Sequence, residues 1–140
     1  MVEMLLESVV YLCLGISIMM IGNFLVDLVI PVDFPKEIHE GNKSVGWVSA
    51  GIYAGLGYII RTAIASFSIS DNVKLIDGVK DTAIYSVMGI VAFIIAYFVI
   101  DLCNKKFNYN EALKDRNEAA GIMIFGIFIG VAFIVSGVIQ

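Results

Sequence analysis

Charged residues are scarce in this sequence of 140 residues: they make up 16% of it, while apolar residues make up 59%. A soluble domain is roughly half apolar, and the mean hydropathy of this chain is strongly positive. The few charges also fall in short stretches, which leaves four long apolar runs between them. The composition and its distribution therefore exclude a small soluble domain.

Cysteine and histidine are also almost missing, with two cysteines and one histidine. Cys13 and Cys103 have neither the spacing of zinc ligands nor that of a redox pair. They should lie near opposite membrane faces, and a disulfide needs Cα atoms within about 7 Å, so two free thiols are expected. The sequence has no paired catalytic motif, no glycine-rich phosphate loop and no metal constellation. It therefore predicts no catalytic residues, no metal, no cofactor and no enzymatic activity. Without a basic patch, it predicts no nucleic-acid partner.

The four apolar runs predict four transmembrane helices. Each is long enough, because a bilayer core about 30 Å thick needs about 20 helical residues, and none shows the period-two alternation of barrel strands. A cleavable signal peptide would need a basic start and a shorter apolar centre. Residues 1–7 are acidic and the first run is too long, which favours a retained helix. The sequence therefore predicts an all-α integral membrane protein with spans at residues 8–30, 45–67, 82–100 and 119–139.

One segment of the chain occurs twice. Asn42, Gly46, Gly51, Ile52, Gly55 and Ile59 recur in the same order and spacing as Asn117, Gly121, Gly126, Ile127, Gly130 and Ile134. Each copy follows a charged loop, and each loop follows an apolar run ending in a carboxylate, Asp27 or Asp101. The pattern predicts two tandem helix-hairpin repeats, residues 1–70 and 71–140. Because each unit has an even number of helices, the two units would be parallel in the membrane.

The repeated glycines predict close helix packing. Glycines four residues apart let helix backbones approach closely in lipid, so the second and fourth spans are expected to pack on each other or on another subunit. A pore lining that needs small residues is the alternative. The glycines concerned are Gly46, Gly51, Gly55, Gly121, Gly126 and Gly130.

Polar residues cluster at the ends of the spans next to the two repeated loops. Asn23 and Asp27 are four residues apart and therefore share one helix face. Asn42 and Asn117 directly precede a span, where an asparagine can cap the first helical turn. The alternative to capping is one small polar site at this membrane face, formed by Asn23, Asp27, Asn42, Asp101 and Asn117.

The loops and the one internal base complete the prediction. The two repeated loops carry six Lys or Arg residues, against two in the loop between the units, which places both termini outside and the repeated loops in the cytoplasm. Phe34 with Ile38, and Tyr109 with Leu113, could each form a turn of helix on the lipid surface. Arg61 should reach the outer surface, where an interfacial anchor competes with a buried counter-ion.

These features together resemble a known family. A carboxylate at the membrane end, a proline-containing loop with Lys36-Glu37-Ile38, the pair Gly41-Asn42 and a glycine-rich helix, all duplicated, resemble the prokaryotic family catalogued as domain of unknown function 350. The resemblance covers nearly the whole chain as two units of two helices. In the second unit Arg116 stands in place of Gly41, and the loop is one residue longer. The resemblance implies a multi-pass protein of the plasma (inner) membrane and brings no catalytic residues.

Two functions follow as hypotheses. The first is a homo-oligomeric channel or carrier for ions, protons or a small solute, in which Asp27 and Asp101 attract a cation or shuttle protons. The alternative is a non-transporting scaffold or stress-response accessory that docks a cytoplasmic protein partner. Its docking surface would be Phe34, Ile38, Phe107 and Tyr109. Membrane lipid is a partner under either hypothesis.

Overall fold

The structure, a computed structural model, describes residues 1–67 and 74–140, and the regular secondary structure of these residues is helical. The four long helices are α1 (Val2–Val29), α3 (Lys43–Phe67), α4 (Leu75–Cys103) and α6 (Glu118–Ile139). Each is long and apolar enough to cross a membrane. The fold class of an all-α protein with four membrane-spanning helices is therefore confirmed. The predicted boundary between the two units, at residues 70 and 71, lies outside the described residues.

Helix α3 is the centre of the bundle. More than half of its most apolar window is buried, 56%, against 17% for α1 and 28% each for α4 and α6. Its inner face contributes Ile52, Leu56 and Ile59, all fully buried. These side chains meet Phe93 of α4 and Phe128 of α6, whose rings stack with centroids 4.9 Å apart. Apolar side chains thus fill the middle of the chain, and α1 is the helix most open to its surroundings.

Two short helices of matching geometry precede α3 and α6. They are α2 (Phe34–His39) and α5 (Tyr109–Lys114). Asp33 caps α2 by accepting a hydrogen bond from the Lys36 amide (3.2 Å), and Asn108 caps α5 by accepting one from the Glu111 amide (3.1 Å). Asp and Asn favour such positions because their side chains satisfy the free amides of a first helical turn.

The two short helices end in the same turn although their residues differ. Gly41 has a φ of +80° and Arg116 a φ of +60°, so both residues adopt the left-handed conformation. A residue with a Cβ occupies it at a cost of roughly 1–2 kcal/mol. Arg116 makes an ion pair of 3.7 Å with Glu40, and because both side chains are largely exposed, that pair offsets little of the cost. The turn thus has the same left-handed conformation with arginine as with glycine, at a higher energetic cost.

The prediction that Phe34 and Tyr109 lie on the lipid surface was wrong. Both side chains are fully buried, as is Leu113, and they belong to the central core. The aromatic residues of the short helices point inward because they pack on apolar side chains at this end of the bundle. Burial of such a side chain is worth about 1.5–3 kcal/mol. Only Ile38 of the four predicted surface residues is substantially exposed.

Candidate polar site at one end of the bundle

Asn42 joins the two halves of the chain at the end where the short helices lie. Its side chain is 2% exposed. The amide nitrogen donates to the Glu37 carboxylate (2.7 Å) and to the backbone carbonyl of Leu113 (2.7 Å). The amide oxygen accepts from the backbone amides of Ser44 (3.1 Å) and Val45 (3.4 Å). Asn42 therefore caps α3 and also ties that helix to α5, which lies far away in the sequence.

Asp27 holds the connection from α1 into α2. One of its carboxylate oxygens accepts a hydrogen bond from the Phe34 amide (2.8 Å). Asn23 lies one helical turn earlier, and its side-chain oxygen is buried without a hydrogen-bond partner among the described residues. A buried polar atom without a partner is uncommon and calls for an explanation. Of this pair, the Asp27 carboxylate accepts a hydrogen bond, whereas the Asn23 amide oxygen accepts none among the described residues.

Asp101 and Asn117 are not joined to Asn42 or Asp27 by any hydrogen bond among the described residues. Asp101 is half-buried near the end of α4. Asn117 is exposed at the start of α6, and its side chain makes no capping hydrogen bond. Only its backbone carbonyl serves the helix, by accepting from the amides of Ala120 and Gly121. The structure thus places the five predicted site residues at one end of the bundle without bringing them into one cluster.

Several polar contacts at this end were not predicted. The Tyr97 hydroxyl donates to the Asn110 side-chain oxygen (2.5 Å), and Asn104 donates to the Tyr109 hydroxyl (3.3 Å). The spacing of Tyr97 four residues before Asp101 was the available signal, because it matches Asn23 before Asp27. These bonds fasten the end of α4 to α5. Many of the hydrogen bonds at this end of the bundle therefore connect the loop segments to the long helices.

The repeated glycines differ between the two copies. A Cβ at Gly51 would lie 2.9 Å from the Phe125 Cα of α6, and one at Gly55 would lie 2.6 Å from the Phe93 ring. A Cβ at Gly121 would collide with the backbone of Ser44, with 2.7 Å to its Cα. Helices α3 and α6 thus approach closely at Gly51 and Gly121.

Three other glycines of the repeat make no close helix contact within the chain, and their packing on another subunit stays a prediction. A Cβ at Gly46, Gly126 or Gly130 would meet nothing within 4 Å. Gly46 lines an open surface of α3 beside Lys43 and Ala50, and Gly126 and Gly130 lie on a side of α6 that no neighbouring helix approaches closely. Two contacts that the repeat did not indicate involve Gly22 of α1 and Gly89 of α4, which face Leu56 and Ile59 of α3.

The docking surface predicted for a soluble partner is reduced by half. Phe34 and Tyr109 are in the core, while Ile38 and Phe107 remain 45% and 37% exposed. The two cysteines are free and exposed. Within residues 1–67 and 74–140, no group of three His, Cys, Asp or Glu residues is arranged to hold a metal ion. The polar end therefore offers carboxylates, amides and the basic side chains of its loops as its chemical groups.

Comparison with known proteins gives a family and two relatives. The model of the family described as Domain of Unknown Function (DUF350) matches residues 1–139. The chain is 27% identical over 128 residues to a UPF0719 transmembrane protein of Aquifex aeolicus (strain VF5), a match that covers 91% of this chain and 47% of that protein. It is 24% identical over 132 residues to the UPF0719 transmembrane protein YshE of Bacillus subtilis (strain 168), covering 94% of this chain and 92% of that protein. The chain thus spans about half the length of the first relative. No solved structure matches.

Proposed function

We infer the function from the premise that this chain belongs to the DUF350 family, and the two proteins to which it is similar are named as transmembrane proteins. The chain is accordingly an integral membrane protein in contact with lipid. We propose that several copies assemble and that ions, protons or a small solute cross the membrane at the contacts between copies. Asp27 and Asp101 would attract a cation or relay protons, and Asn23 would offer its amide oxygen.

The unused oxygen of Asn23 carries this proposal. It lies within an apolar span, on the helix whose apolar window is the least buried. A buried polar atom without a hydrogen bond costs about 1–3 kcal/mol, and polar groups within spans usually face other helices or water. Because the oxygen is covered within the single chain, a donor from a second copy or from water between copies would reach it only where assembly shifts α1.

The packing of the chain supports a path between copies over one within a copy. Ile52, Leu56, Phe93 and Phe128 are buried along the middle of the bundle. Four helices around such a filled core leave little room for water inside one chain. Helix α1, with its long exposed apolar face, is the surface that a second copy would cover.

Transport can be tested in liposomes. Asp27→Asn keeps the oxygen that accepts the Phe34 amide hydrogen but removes the charge, and Asp101→Asn removes a charge without a hydrogen bond to lose. We expect proton or potassium flux through the native protein, and we expect it to fall to the level of empty liposomes in these variants. Asp115→Asn, which removes an exposed carboxylate at the same end, should leave the flux unchanged. Unchanged flux in Asp27→Asn and Asp101→Asn would exclude the two acids from the path.

The orientation we propose has both termini outside the plasma (inner) membrane, because the loops that contain α2 and α5 carry most of the Lys and Arg residues. It can be tested with single cysteines in a chain lacking Cys13 and Cys103. An impermeant thiol reagent added to intact cells is expected to label Lys74→Cys, whereas Lys36→Cys should react only after the cells are permeabilised. The opposite pattern would invert the topology.

The second candidate function is a scaffold for a cytoplasmic protein, and the exposure of Ile38 and Phe107 favours it. Both side chains stand in loops that carry lysines, which suits a partner with an apolar and acidic surface. Absence of flux under every gradient, with co-purification of a soluble protein that is lost in Ile38→Ser, would favour this function. We propose no enzymatic activity under either function.

A further inference from the structure

A groove on the side of the bundle opens between α1 and α3, in the half of the membrane away from Asn42. Its volume is about 490 Å³, within the range of about 300–1,000 Å³ typical of small-molecule sites. Two glycines form it: Gly15 faces Ile60 of α3 at 3.8 Å, and Gly57 faces Met19 of α1 at 3.6 Å, both measured from where a Cβ would stand. Because glycine has no side chain, space for this groove is left along the two helices.

One charged and one hydroxyl side chain stand in an otherwise apolar lining. They are Arg61 of α3 and Tyr11 of α1. Arg61 follows Lys43, at the start of α3, by 18 residues, which corresponds to about 27 Å along the helix. The guanidinium group therefore lies near the membrane face opposite the polar end, at the level of lipid headgroups.

Arg61 is available to a ligand. Its side chain is exposed. The ion pair found among residues 1–67 and 74–140 joins Arg116 with Glu40, and Arg61 takes no part in it. A guanidinium group fits phosphate oxygens through two parallel hydrogen bonds. An exposed arginine at headgroup level suits the phosphate of a phospholipid, and the apolar groove beside it suits an acyl chain of the same molecule.

We propose that this groove binds an anionic phospholipid, with one acyl chain along Gly15 and Gly57 and the phosphate on Arg61. The Tyr11 ring lines the groove, while its hydroxyl lies against Gly78 of α4, so the headgroup contact rests on Arg61. Arg61 would favour this lipid over a zwitterionic lipid with the same acyl chains, because only the anionic lipid has a net negative charge. This site goes beyond the proposed transport path and does not depend on it.

Lipid retention on the purified full-length protein tests the charge requirement. Native mass spectrometry is done in detergent with added dioleoyl phosphatidylglycerol or dioleoyl phosphatidylcholine. Arg61→Gln is expected to weaken phosphatidylglycerol binding about fivefold, the factor that corresponds to about 1 kcal/mol for one basic residue near an anionic lipid. Its phosphatidylcholine binding should fall by less, because the choline cation already offsets the charge of that phosphate, and Arg61→Lys should keep the preference for phosphatidylglycerol. Native affinity in Arg61→Gln, or equal binding of the two lipids to the native protein, would overturn the proposal.

Two further variants control for location. Lys74→Gln removes a cation on the same membrane side and is expected to bind phosphatidylglycerol like the native protein, so an equal loss in this variant would reduce the effect to general surface charge. Gly57→Leu fills the groove while keeping Arg61 and should weaken binding of both lipids, whereas Gly57→Ala, whose Cβ has ordinary contact distance to Met19, reports that the fold tolerates change there. Unchanged lipid binding in Gly57→Leu, or a changed oligomer size with unchanged lipid binding, contradicts a lipid in the groove.

Discussion

Replacing Gly121 by alanine is expected to destabilise the folded protein by about 1–3 kcal/mol, the usual cost of forcing extra atoms into a packed contact. The new Cβ would meet the backbone of Ser44, with its Cα at 2.7 Å. Backbone atoms cannot rotate away as a side chain can, so α3 and α6 would have to separate at this end. Gly51→Ala should act in the same direction, because its Cβ would lie 2.9 Å from the Phe125 Cα.

The repeat supplies the controls for this experiment. Gly46 is the sequence counterpart of Gly121, and Gly126 is that of Gly51, yet a Cβ at Gly46 or Gly126 would meet nothing within 4 Å. Gly46→Ala and Gly126→Ala are therefore expected to be neutral or slightly stabilising, since alanine is favoured over glycine within a helix by up to about 1 kcal/mol. Unfolding in mixed micelles, followed by circular dichroism, measures all four variants. Equal effects within each pair would refute the close contact of α3 with α6.

Replacing Asn42 by alanine is expected to destabilise the protein by about 2–4 kcal/mol, because the variant leaves the Leu113 carbonyl and the amides at the start of α3 without a partner. Asn42 is buried and makes four hydrogen bonds. Asn42→Asp should also be destabilising: a carboxylate oxygen would then face the Glu37 carboxylate and the Leu113 carbonyl, which are both acceptors. The same unfolding measurement applies.

Asn117 provides the matched comparison for Asn42. It occupies the equivalent position of the repeat, but its side chain is exposed and makes no capping bond. Asn117→Ala is expected to change the free energy of unfolding by less than about 0.5 kcal/mol, as is usual for surface substitutions. If Asn117→Ala proved as destabilising as Asn42→Ala, the two asparagines would have to share one role, contrary to the geometry described here.

The four spans were predictable from the sequence because bilayer thickness sets the length of an apolar helix. The role of each repeated residue was less predictable, as Asn42 and Asn117 show. Both precede a span in the same pattern, yet one is enclosed and the other is open to its surroundings. A pattern of spacing determines which residues share a helix face, and it does not determine whether a neighbouring helix covers that face.

The short helices illustrate a second limit. Phe34 and Tyr109 stand in loops rich in charged residues, which is typical of a surface segment, and both are buried. Their direction depends on the space left at the end of the bundle, which is a property of all four long helices together. The same holds for the groove beside Arg61, since it depends on the distance between α1 and α3. Charge and hydropathy along the chain carry no record of such distances.

The contact between Gly121 and Ser44 has a consequence for biogenesis. It joins the second membrane span to the fourth, so this close backbone contact cannot form until the fourth span has been synthesised. Until then the side of α3 that will contact α6 is covered by lipid or by the insertion machinery. A chain released before the fourth span is made would lack this contact and would leave the facing side of α3 open to misassembly.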